Sequence, residues 1–120
     1  MSGSKSVLVV DDSLVARMMV KEIIRKAFPD WRVVEAKDPQ SALDLTEGES
    51  LDFMVVDYNM EYINGLELAA RLQERFPGIR GALLTANIQD VLRDRARAQG
   101  LAFISKPIKP DPLVAFLNGD

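Results

Sequence analysis

The sequence predicts a single α/β domain in which helices cover both faces of a five-stranded parallel sheet. Five short apolar runs alternate with five segments that carry apolar residues at helical spacing. The strand candidates are continuous apolar runs, such as Val7 to Val10, and this is typical of strands that are buried on both faces. Alternating strands and helices form a parallel sheet, and right-handed crossovers leave few strand orders. We expect the flavodoxin-like order 2-1-3-4-5 of a doubly wound (βα)5 fold.

The composition limits the kind of protein. The chain has 120 residues, 48% of them apolar, and a formal net charge of −3. This length predicts one domain at residues 1–120, with a core at about 6–118 and a loose amino terminus at 1–5. The acidic balance argues against direct binding to nucleic acid, which usually requires a basic surface. The sequence shows no membrane-length apolar run and no signal peptide, so we expect a cytoplasmic protein that does not bind membranes.

The chain contains no cysteine and no histidine. This excludes disulfides, thiolate or imidazole metal sites and serine–histidine–aspartate catalysis. Any chemistry therefore depends on carboxylates, hydroxyl groups, lysines and metal ions that prefer oxygen ligands.

Strands and helices are predicted from their apolar patterns and from the residues that bound them. The strands are predicted at 7–10, 31–37, 53–56, 80–84 and 101–104. The helices are predicted at 14–28, 39–48, 65–76, 88–99 and 113–117. Asp38-Pro39 and Asp111-Pro112 are typical helix starts, and Gly100 is a typical helix end. The fourth helix is rich in Arg and Asp and has few large apolar anchors, mainly Val91 and Leu92.

The first predicted helix has a wider apolar face than one core contact requires. Its core face consists of Ala16, Val20, Ile23, Ile24 and Ala27 at helical spacing. Four further apolar residues widen that face, namely Leu14, Val15, Met18 and Met19. The widened face is either ordinary core packing or a docking surface for a partner protein.

Side chains suited to chemistry follow the first, third, fourth and fifth predicted strands. Asp11 and Asp12 follow the first strand, Asp57 the third, Thr85 the fourth and Lys106 the fifth. In the order 2-1-3-4-5 these four strands are neighbours, and ligands bind beyond the carboxyl ends of such strands. We therefore expect the five side chains to line one rim of the sheet.

Each of these residues also has a purely structural explanation. Asp12 or Ser13 is a suitable N-cap for the first helix, and Thr85 for the fourth. An aspartate such as Asp57 often caps a turn, and Lys106 is an ordinary surface residue if it is solvated. These explanations work one residue at a time, but together they require three acids, a hydroxyl and a lysine to meet by chance.

The combination suits phosphoryl transfer. Three neighbouring carboxylates repel one another unless a proton or a cation relieves them. Oxygen ligands with retained waters suit Mg²⁺. With a lysine and a hydroxyl nearby, such a site neutralises and positions a phosphoryl group. A free carboxylate is itself a possible nucleophile, and its product is an acyl phosphate.

These residues resemble the receiver domain of two-component response regulators, of the chemotaxis-regulator type. The similarity extends from Ser6 to Leu117. Chemotaxis regulators are a standard example of the strand order 2-1-3-4-5, so the expected order rests on their precedent. The shared motifs are Val-Val-Asp-Asp-Ser at 9–13, Asp-Tyr-Asn-Met at 57–60, Asn64-Gly65, Thr85-Ala86 and Lys106-Pro107.

The resemblance implies a phosphoacceptor and a magnesium site. Asp57 would accept a phosphoryl group from a phosphohistidine on a sensor kinase. Asp12 and Asp57 would bind Mg²⁺ through their carboxylates, Asn59 through its backbone carbonyl and Asp11 through water. Lys106 would contact the phosphoryl oxygens.

The resemblance also implies a conformational switch. Thr85 would move toward the phosphoryl group, with the backbone N–H of Ala86 assisting. Phe103 would then change rotamer together with Thr85. The Lys106–Pro107 peptide bond would be cis.

Two features depart from the family pattern. Glu61 stands where the family usually has proline after the methionine, so we expect a more mobile loop and altered phosphorylation kinetics. The predicted last helix is only about two turns long. In the family this helix contributes to the usual output face, so the family's mode of target docking does not carry over directly.

Several functional alternatives remain open. The first prediction is a stand-alone regulator that signals by protein–protein contact and is not an enzyme. The alternatives within the family are a receiver from a hybrid histidine kinase, which passes phosphate to a phosphotransfer protein, or from a larger transcription regulator. A haloacid-dehalogenase-like phosphatase is a remote alternative, because it needs a second aspartate where this chain has Asn59.

Overall fold

The computed structural model describes residues 4–119 and confirms the predicted fold. Five parallel strands form one sheet in the order β2-β1-β3-β4-β5. The strands are β1 (Ser6–Val10), β2 (Arg32–Ala36), β3 (Phe53–Asp57), β4 (Arg80–Thr85) and β5 (Ala102–Ser105). The helices are α1 (Leu14–Ala27), α2 (Pro39–Leu45), α3 (Gly65–Arg75), α4 (Asp90–Ala98) and α5 (Pro110–Leu117).

The strand register brings the predicted polar residues to one edge of the sheet. Val10 of β1 pairs with Val56 of β3. The residue that follows each of them is an aspartate, Asp11 and Asp57. The pairs Asp57–Leu84 and Thr85–Ser105 extend this level across β4 and β5. Because all strands are parallel, the residues that follow them meet at the same edge.

Two apolar cores lie on opposite faces of the sheet. Successive β1 residues alternate between them, since Val7 and Val9 face one core and Leu8 and Val10 the other. α1 and α5 cover the first face through residues such as Ile24. α2, α3 and α4 cover the second. Burial on both faces explains the continuous apolar strands.

Several predicted boundaries were wrong by a few residues. α5 begins at Pro110, not at residue 113, and has 8 residues, so the predicted short last helix is still found. Proline is tolerated in a first turn because the first N–H groups have no partner within the helix. α4 begins at Asp90 instead of residue 88. α2 ends at Leu45, before the predicted end near residue 48.

Three further predictions concern side-chain burial and the chain ends. Val91 is 68% exposed, and the buried anchors of α4 are Leu92 and Ala96. Ala27, the last residue of α1 and part of its predicted core face, is also exposed. Of the predicted loose segment, residues 1–3 lie outside the described range, and Ser4 and Lys5 are exposed residues that precede β1.

No helix within residues 4–119 has the length and apolar character needed to cross a bilayer.

Candidate functional site

Asp57 and Lys106 form the centre of the candidate site. Nζ of Lys106 lies 3.1 Å from Oδ1 of Asp57 and 3.1 Å from Oδ2 of Asp11. Both carboxylates are almost fully buried, whereas a quarter of the lysine side chain is exposed. The ammonium group thus bridges the first and third strands from the end of the fifth. Lys106 is therefore not an ordinary solvated lysine.

Asp12 completes a group of three carboxylates. One oxygen each from Asp11, Asp12 and Asp57 lies within 4.8 Å of the other two. Asp12 is exposed, while the other two are buried. Asp12 is therefore the member of this group that is accessible from solvent.

The donor set of this group fits Mg²⁺. All three side chains offer hard oxygen ligands, which Mg²⁺ prefers. Oδ2 of Asp11 is fully buried and, apart from the neighbouring lysine charge, has no hydrogen-bond donor in proper geometry among the described residues. A buried acceptor without a donor is costly, and a water bound to a cation would satisfy it.

Burial and charge change the pKa of two groups in the site. Burial raises the pKa of the Asp57 carboxyl, and the nearby Asp11 charge raises it further. Lys106 lowers that pKa without cancelling the increase. For Lys106, burial lowers the pKa, but its ion pairs with Asp11 and Asp57 outweigh burial and raise it overall. The lysine therefore carries a stable positive charge next to a carboxylate that is costly to ionise.

The loop after β1 is organised by local hydrogen bonds. Ser13 is the N-cap of α1, because its side chain accepts a hydrogen bond from the N–H of Ala16. Oδ1 of Asp11 accepts a hydrogen bond from the N–H of Ser13 at 3.0 Å. The capping explanation thus applies to Ser13, and the Asp12 carboxylate remains directed to the site.

Thr85 and Phe103 occupy positions compatible with the predicted switch. Thr85 is buried at the end of β4, and its hydroxyl accepts a hydrogen bond from the N–H of Asn87 at 2.9 Å. It does not cap α4, whose N-cap is Gln89. Phe103 on β5 is half-buried, and the guanidinium carbon of Arg93 in α4 lies 5.0 Å from its ring centroid. The aromatic ring is thereby connected to the weakly anchored fourth helix.

Two further residues that the resemblance assigned to the site are exposed. Asn59 lies two residues after Asp57, and Ala86 lies directly after β4.

The loop after β3 also contains a tight turn. The N–H of Ile63 donates to the carbonyl of Glu61 at 2.9 Å and closes a tight turn around Tyr62. Tyr62 has φ of +74° and is 96% exposed. The Lys106–Pro107 bond is cis, as the resemblance implies.

Gly65 allows the start of α3 to lie close to the backbone of Asp57. The sequence indicated Gly65 only as part of the Asn64-Gly65 motif. A Cβ atom at this position would lie 2.4 Å from the Asp57 carbonyl oxygen and 2.9 Å from Cα of Tyr58. The N–H of Gly65 donates to the Tyr58 carbonyl at 2.9 Å. Asn64 and Glu67 form a capping box that starts α3 at this contact. The sequence shows the Asn64-Gly65 pair, but only the tertiary structure shows that α3 approaches the Asp57 backbone closely at Gly65.

Comparison with known protein families agrees with this geometry. The family model of the response regulator receiver domain matches residues 7–118. The chain belongs to this family. The receiver is 31% identical over 116 residues to the chemotaxis protein CheY of Thermotoga maritima, and the match covers 95% of each chain.

Other relatives are longer than this receiver. It is 34% identical to the cyclic di-GMP phosphodiesterase response regulator RpfG of Xanthomonas campestris, over 92% of this chain but 30% of that protein. It is 31% identical to the probable transcriptional regulatory protein TcrX of Mycobacterium tuberculosis, over 94% of this chain and 48% of that protein. The receiver thus spans less than half the length of these two relatives.

Solved structures show the same fold. The structure of Vibrio cholerae CheY4 superposes with a TM-score of 0.84 at 28% identity, covering 98% of both chains. A response regulator from Burkholderia pseudomallei, described with a phosphorylated aspartic acid, a calcium ion and citrate, has a TM-score of 0.84 at 26% identity. That match covers 95% of this chain and 66% of the other.

Proposed function

We propose that the receiver accepts a phosphoryl group on Asp57, with Mg²⁺ bound at the neighbouring carboxylates. The observation that carries the proposal is the contact of Lys106 with Asp57 and Asp11, both at 3.1 Å, beside the exposed Asp12. The phosphorylated aspartic acid of the related Burkholderia response regulator supports it.

The proposed chemistry assigns a task to each side chain. An oxygen of Asp57 attacks phosphorus, and a new O–P bond forms as the bond between phosphorus and the donor breaks. Lys106 compensates negative charge on the phosphoryl oxygens. Asp11, Asp12, Asp57 and the carbonyl of Asn59 would hold Mg²⁺. When bound, the ion offsets the charge of the carboxylates and of the phosphoryl group.

Phosphorylation would then act through the proposed switch. The acyl phosphate adds negative charge and strong acceptors. The buried Thr85 hydroxyl and the N–H of Ala86 are the donors proposed to meet it at the end of β4. Movement of Thr85 would free space for Phe103, which contacts Arg93 of α4. The switch would shift an existing equilibrium, since the phosphoryl group favours only the state with better contacts to it.

Intact mass spectrometry tests the acceptor. Incubation with acetyl phosphate and Mg²⁺ should add one phosphoryl group to the wild type. The adduct should be absent from the Asp57→Asn variant and from wild type treated with excess EDTA. A persistent adduct in Asp57→Asn would contradict the assignment of Asp57, and an adduct without divalent cations would contradict the role of Mg²⁺.

The partner proposed for the receiver is a sensor histidine kinase or a phosphotransfer protein. The α1 apolar patch, defined as Leu14, Val15, Met18 and Met19, supports a protein partner. Its members are 43–65% exposed, so the patch is not part of the core. With Ile108 and Pro110, three of these residues line a groove of about 420 Å³.

We further propose a cytoplasmic, stand-alone signalling protein without its own enzymatic activity toward other substrates. The relative CheY of Thermotoga maritima, whose length the match covers to 95%, is a precedent for this form. A domain of a larger regulator is the second candidate, because two relatives are more than twice as long as the matched region. An immunoblot of cells that express the native gene tests this. A band near the 13.3 kDa of this chain supports the first form, and a larger band the second.

A further inference from the structure

Arg17 lies outside the group of residues assigned to the site, yet it contacts the backbone of the metal-binding loop. Its Nη1 donates to the carbonyl oxygen of Asp11 at 2.7 Å. Its Nε donates to Oε1 of Glu35 on β2 at 3.3 Å. The arginine side chain is only 14% exposed, although it starts from the first turns of α1. An arginine that is this little exposed and that donates two hydrogen bonds requires an explanation beyond solubility.

The accepted carbonyl belongs to the peptide bond between Asp11 and Asp12. That peptide determines where the Asp12 side chain starts and how it faces Asp57. Asp11 is already restrained by its N–H, which donates to the Ala36 carbonyl at 3.1 Å, and by its Oδ1, which accepts from Ser13. The bond from Arg17 restrains the other side of the same residue. The exposed Asp12 carboxylate therefore depends on the orientation of a peptide that Arg17 holds.

Glu35 fixes the arginine in turn. It lies in the strand next to β1, where it pairs in register with Val9. Its second carboxylate oxygen is 3.2 Å from Nζ of Lys21, one turn further along α1. The same carboxylate thus restrains Arg17 and ties α1 to β2. The hydrogen bonds of the described residues connect Lys21 to this glutamate and not to the Asp11 carbonyl, which makes Lys21 a matched control.

We propose that Arg17 is a positioning residue for the Mg²⁺ site: it holds the Asp11–Asp12 peptide so that the Asp12 carboxylate faces Asp57. This inference rests on the proposed function of the site. Groups that orient metal ligands typically affect metal affinity by about 10- to 100-fold. Arg17 is itself a cation, however, so its charge alone opposes binding of Mg²⁺. Positioning and charge therefore predict opposite signs when Arg17 is replaced by a neutral residue.

Titration calorimetry with MgCl2 on the apo protein provides the direct test. Arg17→Met keeps most of the side-chain volume but removes both donors, and it should weaken Mg²⁺ binding roughly tenfold. Lys21→Met removes a similar charge from the same glutamate and should leave Mg²⁺ affinity unchanged or slightly higher. The Mg²⁺ affinity of Arg17→Lys, which keeps one donor group, should lie between the affinities of Arg17→Met and the wild type. Unchanged or tighter binding by Arg17→Met would overturn the proposal.

The dependence of phosphorylation on Mg²⁺ separates positioning from a loss of folding. With acetyl phosphate, Arg17→Met should need roughly tenfold more Mg²⁺ for half-maximal adduct formation and reach the wild-type rate at saturation. A lower rate at saturating Mg²⁺ with an unchanged midpoint would overturn the proposal. If Arg17→Met does not fold, the Mg²⁺ midpoint of adduct formation is measured for Arg17→Lys instead. A midpoint equal to that of the wild type would then overturn the proposal. Wild type that neither binds Mg²⁺ nor forms an adduct would contradict the proposed function itself.

Discussion

At the scale of a single residue, the proposed role of Asp57 as phosphoacceptor sets two requirements that oppose each other. A phosphoacceptor must be ionised to act as a nucleophile, whereas burial and the neighbouring Asp11 raise the pKa of this carboxyl. Lys106 supplies part of the compensation at 3.1 Å. The remaining cost of the buried charge lowers the stability of the protein when no cation is bound.

Replacing Asp57 should therefore stabilise the metal-free protein in a pH-dependent way. Because the pKa of Asp57 is higher in the folded state than in the unfolded chain, ionisation costs stability as pH rises from the ordinary aspartate range through the folded pKa. Asp57→Asn should raise the free energy of unfolding by about 1 kcal/mol at pH 7, a typical size for one substitution. The gain should disappear as pH falls below the ordinary aspartate range.

Urea denaturation of both proteins in EDTA at several pH values measures this difference. Asp30→Asn serves as the control, since Asp30 is an exposed aspartate between α1 and β2. A pH-independent gain for Asp57→Asn, or a loss at pH 7, would contradict the assigned direction of the pKa change.

Tyr62 is a second residue whose local conformation is unfavourable. Its φ of +74° is uncommon for a bulky side chain, and a turn closed around one such residue is rare and strained. Its side chain is almost fully exposed, so little packing is lost on replacement. Tyr62→Asn should stabilise the protein by about 1 kcal/mol, because asparagine tolerates this backbone region better.

Thermal unfolding with circular dichroism measures the effect of Tyr62→Asn. Ile88→Asn is the matched control at an exposed loop residue without positive φ, and its stability should change by no more than about 0.5 kcal/mol. Destabilisation by Tyr62→Asn would indicate that the tyrosine side chain makes contacts that outweigh the strain.

At the scale of elements, α1 and α4 differ in how they meet the sheet. α1 is anchored by buried residues such as Ile24 and still presents the α1 apolar patch to solvent. The buried residues of α4 are Leu92 and Ala96, a small anchor for a helix of 9 residues. A helix with so few buried contacts moves more easily than its neighbours. We therefore expect α1 to serve as a fixed docking element and α4 as the element that responds to phosphorylation.

Charging the α1 apolar patch should separate docking from chemistry. Met18→Asp places a charge at a residue that is 57% exposed. Phosphotransfer from a cognate phosphohistidine protein should slow roughly tenfold or more, since loss of an interface hot spot costs about 2 kcal/mol or more. Phosphorylation by acetyl phosphate should remain unchanged, because the small donor needs no docking surface.

Leu45→Asp is the control for this experiment, because Leu45 in α2 is 51% exposed and lies outside the patch. It should affect neither donor. An equal loss with both donors for Met18→Asp would show that the substitution disturbs the site or the fold instead of docking.

At the scale of the whole molecule, the sheet concentrates negative charge at one edge. Asp11, Asp12 and Asp57 lie at the ends of two adjacent strands, and one oxygen of each lies within 4.8 Å of the other two. In the unfolded chain Asp57 is far from the other two along the sequence, so their mutual repulsion is largely a property of the folded state. A cation that binds only the folded arrangement should stabilise the entire domain.

Mg²⁺ should raise the thermal unfolding midpoint of the wild type. At a concentration about one hundred times the Kd, the stabilisation should be about 2.7 kcal/mol by mass action. Differential scanning calorimetry in MgCl2 and in NaCl of equal ionic strength measures the specific part. Asp12→Asn should lose most of this response, and an equal response in that variant would point to non-specific screening.

The sequence alone determined the fold class and the residues of the candidate site. Continuous apolar runs that alternate with amphipathic segments have few stable arrangements other than a covered parallel sheet. Parallel strands end at the same edge, and the order 2-1-3-4-5, taken from the precedent of chemotaxis regulators, makes four of the strands neighbours. With that order, the positions of Asp11, Asp57 and Lys106 after their strands predicted that they meet. Caps such as Asp38-Pro39 were also predictable, since a cap depends on its immediate neighbours.

Only the tertiary structure decided which apolar residues are buried and which distant groups hold the site in place. Val91 and Leu92 are adjacent apolar residues, and the rotation of α4 against the sheet exposes one and buries the other. The contact of Arg17 with Asp11 requires α1 to pack beside β2, where Glu35 can hold the arginine. Gly65 is needed because α3 approaches the Asp57 backbone closely. These features depend on distances between elements, and local sequence patterns do not encode such distances.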